Sequence, residues 1–149
     1  MRKINLIVLH CSATRETMEY TPEQLERDHK ARGFFSAGYN YYIRRSGEVV
    51  PMRPPEQIPA HVKGYNAFSL GICYEGGLDA DGHPKDTRTE RQKLSIRGLL
   101  LLLLVRYPGC RICGHRDLSP DRNGDGKITR DEWLKECPCF DAEEEYGIL

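Results

Sequence analysis

Ile4–Leu9 is apolar apart from Asn5 and stops at His10, the length and texture of a buried β-strand that ends in an imidazole. Polar positions then take over until Thr21-Pro22-Glu23-Gln24. There Thr21 can cap a helix, Pro22 can occupy its first position and Gln24 can complete a capping box. This helix is predicted to run to about Arg32, with Gly33 as its stop. Tyr39–Arg45 and Glu48–Val50 read as two strands joined at Ser46-Gly47, a hairpin. Pro51, Pro54, Pro55 and Pro59 make the next segment a loop that leads to His61. Phe68–Tyr74 is a second largely apolar strand, suited to the middle of a sheet. After polar turns over Gly76–Arg88, Thr89-Glu90 opens the longest helix. Its expected buried face is Leu94, Leu99, Leu101, Leu102 and Val105, and Pro108-Gly109 ends it. Arg111–Gly114 is a short strand, Asp131–Glu136 a short helix and Asp141–Glu145 a solvated acidic tail. Strands interspersed with helices predict one α/β domain over residues 1–149, a central, mostly mixed sheet flanked by helices.

Composition narrows the classes. Lys plus Arg and Asp plus Glu are both 22, so net charge is zero and no broad basic field points to nucleic acid. Leu99–Val105, bracketed by Arg97 and Arg106, falls well short of the roughly 20 apolar residues of a membrane span, so no membrane insertion is expected. The basic start at Arg2-Lys3 precedes an apolar run too short for a signal peptide. Cytoplasmic synthesis, free thiols at the six cysteines and a monomeric protein are therefore expected.

Three separated segments carry metal-type chemistry. His10 ends the first strand, His115 lies in Gly114-His115-Arg116-Asp117, and Cys137 in Lys135-Glu136-Cys137-Pro138. Two imidazoles and one thiolate form a catalytic-type zinc set, with a fourth position left for water. The rival set for a metal is Cys110, Cys113, Cys137 and Cys139; against it, Cys113 falls inside a predicted strand and the Cys137-Pro138-Cys139 spacing is tight. Cys11, Cys73 and Cys110 read as small buried hydrophobes. His29 and His83 read as surface residues.

The blocks His10–Thr14, Gly38–Ile43, His61–Asn66, Ser69–Gly77, Gly114–Leu118 and Lys135–Pro138 follow one another over nearly the whole chain. In that order and spacing the sequence resembles the zinc-dependent N-acetylmuramoyl-L-alanine amidases of the phage-lysozyme type, which share a fold with the peptidoglycan recognition proteins. The resemblance implies hydrolysis of the amide between N-acetylmuramic acid and L-alanine in bacterial peptidoglycan. It implies action on the cell wall after release from a phage-infected or prophage-carrying cell, with peptidoglycan or muropeptides as the partner. It places zinc on His10, His115 and Cys137, makes Tyr39 and Lys135 the catalytic pair, and puts His61, Lys63 and Asn66 in the substrate cleft. Alternation along the strand puts Tyr41 on the face of Tyr39, and Tyr41 and Tyr42 are taken as packing. Where related amidases carry a glutamate, this chain has Cys73, which leaves the base role to Tyr39 and a metal-activated water. Non-catalytic relatives typically lack the cysteine ligand, so Cys137 favours an enzyme over a binding or regulatory module.

Between His115 and Cys137 stands an insert, Asp121–Glu132, in register with an EF-hand calcium loop. Asp121, Asn123 and Asp125 take positions one, three and five; Gly126 takes the turn, Lys127 the backbone-carbonyl position, Thr129 position nine and Glu132 the bidentate terminal place. An Asp- and Gly-rich surface turn is the plainer alternative, but the turn glycine and the terminal glutamate, both in register, favour the calcium-loop geometry. Calcium is accordingly a possible second cofactor, beside zinc. A purely structural calcium-binding protein would leave the other blocks unexplained.

Overall fold

The computed structural model describes residues 2–149. Its strands are β1 (Leu6–Cys11), β2 (Thr14–Arg15), β3 (Tyr41–Ile43), β4 (Val49–Pro51), β5 (Ser69–Tyr74), β6 (Gly77–Leu78) and β7 (Arg111–Gly114). Its α-helices are α1 (Pro22–Ala31), α2 (Glu90–Arg106) and α3 (Ala142–Tyr146). The main sheet runs β4-β3-β5-β1-β7, all parallel except the β3–β4 hairpin, while β2 and β6 form a separate parallel pair. This is the mixed α/β sheet expected, and none of the described helices is long and apolar enough to cross a membrane.

All residues of β1 and β5 are buried, and β1 divides its side chains between two faces. Ile7, Leu9 and Cys11 join the cluster that contains Ile96, Leu100 and Leu103 of α2 and Tyr146 of α3, while Leu6 and Val8 join Val62 and Cys113 on the other face. By the two-residue period His10 follows Leu6 and Val8, away from α2. The capping box expected at Thr21/Gln24 is formed, and the structure adds a second, Thr89/Gln92, at the start of α2.

The buried face of α2 departs from expectation. Leu94, Leu102 and Val105 are 71%, 71% and 83% exposed, and Leu101 is also exposed. Ile96, Leu100, Leu103 and the polar Gln92 turn inward instead. Six consecutive leucines, Leu99–Leu104, place apolar side chains all round the cylinder, so hydrophobicity alone cannot set its rotation. Gln92 sets it, because its amide donates to the carbonyls of Ile43 (3.2 Å) and Glu75 (3.0 Å).

The expected solvated tail is α3, and it is packed. Arg88, buried, donates to both Glu145 oxygens (2.6 and 2.9 Å) and lies 3.4 Å from the centre of the Phe140 ring. Ala142 and Tyr146 are buried beside it. The short helix expected over Asp131–Glu136 is only a 3-10 turn at Arg130–Glu132.

Candidate metal centre and its cleft

His10 leaves the end of β1, and His115 follows β7 directly, so the sheet's carboxyl edge supplies both imidazoles from neighbouring strands. The Cys137-Pro138 segment is brought to them by three hydrogen bonds. Cys11 N–H donates to the Cys137 sulfur (3.2 Å), Arg116 N–H to the Cys137 carbonyl (2.9 Å), and Tyr74 O–H to the Pro138 carbonyl (2.6 Å). Gly114 makes the approach possible, since a Cβ there would lie 2.6 Å from Pro138 Cδ. One donor atom each of His10, His115 and Cys137 lies within 4.8 Å of the others. With Zn–N near 2.0 Å and Zn–S near 2.3 Å, donors around one ion sit within about 4 Å of each other, so a small inward adjustment closes this set on zinc.

The three open onto a cleft of about 360 Å³ that Tyr39, His61 and Lys135 also line. Tyr39 lies just before β3, and its ring centre is 5.0 Å from that of His10. It shares its side of the sheet with Tyr42, whereas Tyr41 packs in the α2 cluster. Alternation from Tyr41 therefore misplaces Tyr39, because regular pairing begins only at Tyr41, after the buried Asn40 whose amide reaches Gly71, Arg53 and Pro54. Tyr42 donates its hydroxyl to the Tyr20 carbonyl and is structural.

The proposed substrate residues separate. His61 is hydrogen-bonded to His10, Nδ1 to Nε2, at 2.7 Å. Asn66 uses its carbonyl oxygen to accept from the backbones of His61 and Val62, both at 2.9 Å, and so holds the loop. Lys63 is exposed and lines a smaller hollow shared with His115 and Leu118.

The sequence reading missed His29. Expected on the surface, it is buried, accepts at Nδ1 from Gly38 N–H (2.8 Å) and packs on Tyr39 and Phe34. Its signal was the four-residue spacing from Leu25, the other buried residue of α1. His83 is exposed, as expected. The four-cysteine alternative fails on geometry: Cys113 and Cys110 pack in clusters on opposite faces of the sheet, while Cys139 lies 4.0 Å, sulfur to sulfur, from Cys11. All six cysteines are free thiols.

Burial governs the electrostatics. It pushes His10 well below the ordinary histidine range, aided by His61, His115 and Lys135. It brings His61 down to about 3 and His115 to about 4, the latter with a smaller contribution from Lys135. A group with a folded pKa below its unfolded value binds fewer protons when folded, so its stabilisation is lost as pH falls from about 6.5 toward 4. Metal-free protein should accordingly show a lower urea midpoint at pH 5 than at pH 7. Equal midpoints would show that these imidazoles are hydrated in solution.

Residues 1–132 match the family model described as N-acetylmuramoyl-L-alanine amidase. The chain belongs to that family. It is thus a hydrolase of the amide that joins N-acetylmuramic acid to L-alanine in peptidoglycan. The endolysin of Klebsiella phage KP32 is 38% identical over 135 residues, covering 91% of this chain and 80% of its relative. The endolysin of Escherichia phage T7 is 33% identical with the same coverage. Among solved structures, the amidase LysC from Clostridium intestinale superposes with a TM-score of 0.74 at 26% identity, covering 97% of this chain and 82% of that one. Bumblebee PGRP-SA, at 17% identity, 97% and 81% coverage and the same TM-score, shares the fold.

Proposed function

We propose that this amidase is an endolysin-type enzyme that acts on the cell wall after release, with zinc held by His10, His115 and Cys137. The observation that carries the reading is the convergence of these three donors with Tyr39 and Lys135 on one cleft. Zinc bound there would supply a Lewis acid and a water of pKa near 7, as amide hydrolysis at neutral pH requires. Lys135, exposed at the cleft wall two residues before the thiolate, presents a cation to the oxyanion that develops on the scissile carbonyl. Burial, with Cys73, Cys137 and Cys11 adding to it, raises the Tyr39 phenol well above its ordinary pKa. It therefore stays protonated and acts as a hydrogen-bond donor to the tetrahedral centre, in place of the base role the missing glutamate first suggested. Retention of Cys137 weighs against a module that only holds muropeptides. Mass spectrometry of peptidoglycan digested by zinc-loaded protein tests the proposal: released stem peptides with a free L-alanine amine are expected, and intact N-acetylmuramoyl peptides would overturn it.

A second reading concerns Asp121–Glu132. Carboxylate oxygens of Asp121, Asp125 and Glu132 lie within 4.8 Å of one another, and Gly124 and Gly126 take the left-handed conformations that such a loop uses. Calcium held by Asp121, Asn123, Asp125, the Lys127 carbonyl, Thr129 and Glu132 would stabilise the folded state by about 2.7 kcal/mol at 100 times its dissociation constant. A raised thermal midpoint in millimolar calcium, diminished in Glu132→Gln, is expected. Identical midpoints would reduce the loop to a polar turn.

A further inference from the structure

We infer that His61 is a positioning residue that fixes which nitrogen of His10 faces the metal; the inference rests on the zinc reading above. His10 Nδ1 faces the Cys137 sulfur at 3.9 Å, while its Nε2 lies 2.7 Å from His61 Nδ1. His61 Nε2 in turn lies 2.8 Å from Ser69 Oγ. A neutral imidazole has one N–H and one lone pair, so protons can be arranged along this row in two ways. In one, Ser69 donates to His61 Nε2 and His61 Nδ1–H donates to His10 Nε2. The single proton of His10 then sits on Nδ1, where it blocks coordination. In the other, His10 Nε2–H donates to His61 Nδ1, and His61 Nε2–H donates to Ser69. Only this second arrangement turns a lone pair on His10 Nδ1 toward Cys137 and His115.

His61 therefore does for His10 what a carboxylate or carbonyl does for many metal-bound histidines: it accepts the outer N–H and holds the ring's rotation. The backbone locks His61 in this place. Its ring lies against Gly71 of β5, where an added Cβ would come within 2.9 Å of both Cγ and Nδ1. The Gly71 N–H is itself held by the Asn40 side chain at 3.0 Å, and the His61 N–H by Asn66. Asn66 thereby contributes to the metal centre at one remove, by placing the residue that orients a ligand. A side chain with both ring nitrogens engaged and a strand behind it is poorly placed to grip a sugar or a peptide, so His61 is better assigned to the metal than to the substrate.

The test compares zinc affinity, by competition with a chromogenic chelator, in the wild type, His61→Leu and His61→Asn. His61→Leu keeps bulk but cannot accept, and should weaken zinc binding by about 10–100-fold. His61→Asn restores an acceptor near the Nδ1 position and should recover most of that loss. In zinc-loaded wild type, nitrogen-15 spectra should show a slowly exchanging proton on His10 Nε2 and none on Nδ1. Unchanged zinc affinity in His61→Leu with a raised KM would overturn the inference in favour of substrate contact. Failure of His61→Asn to recover affinity would overturn it in favour of simple space-filling, and a proton on His10 Nδ1 would overturn it outright, whether or not either variant folds. Wild type that takes up no zinc would instead overturn the metal reading, and this inference with it.

Discussion

Cys137→Ala is expected to lose its zinc and to hydrolyse peptidoglycan no faster than background while keeping its fold. Loss of an outer partner of a metal ligand typically costs 10–100-fold, so removal of one of three ligands should exceed about 100-fold. The fold should survive because two of the three hydrogen bonds that hold the segment do not use the thiol: Arg116 N–H reaches the Cys137 carbonyl and Tyr74 the Pro138 carbonyl. Metal content, turnover and circular dichroism on one preparation check all three parts. Full activity, or zinc retained through Cys110 and Cys113, would remove the metal assignment.

The second large effect belongs to Lys135. If its ammonium stabilises charge that appears only in the transition state, Lys135→Ala should lower kcat by roughly 100-fold or more with zinc still bound and KM little changed. The side chain is exposed and makes no ion pair among the described residues, so its removal should scarcely affect stability. An unaltered kcat would reject the role. Tyr39→Phe should likewise retain metal and lose rate, because it removes the donor and leaves the ring against His10. Tyr41→Phe is the control: Tyr41 packs under α2, and a comparable loss there with none at Tyr39 would reverse the assignment.

The architecture was legible wherever local chemistry and tertiary packing agree. The Thr21/Gln24 capping box, the helix start at Thr89-Glu90, the hairpin at Ser46-Gly47 and the apolar strands that carry His10 and Tyr74 near their ends each have their own signal within a few residues. The rotation of α2 carried none, since a run of leucines has no phase and the deciding contact, Gln92 to two strand carbonyls, is long-range and polar. The packing of α3 was hidden for a related reason: Glu145 looks solvated until Arg88 is beside it. At the site, the ligand candidates stood out by residue type and order. The row from His10 through His61 to Ser69 did not, because it joins three segments brought together only by the β1–β5 pairing and by the loop that Asn66 holds. His29 stayed hidden because its only sign is the four-residue spacing from Leu25.

The insert between His115 and Cys137 begins and ends at a closed gate: Ser119 Oγ accepts from Leu134 N–H at 3.1 Å, so the chain returns to its starting point before it reaches Lys135. The stretch from Pro120 to Lys127 projects outward and is exposed throughout. The outer part of the excursion thus stands clear of the chemistry it interrupts, while its end is tied in where the Arg116 guanidinium lies 3.8 Å over the Trp133 ring. That makes the exposed part a natural port for grafting, where a wall-anchoring peptide or an affinity epitope could replace residues 120–127 while Trp133 stays on Arg116 and the ligands on either side keep their places.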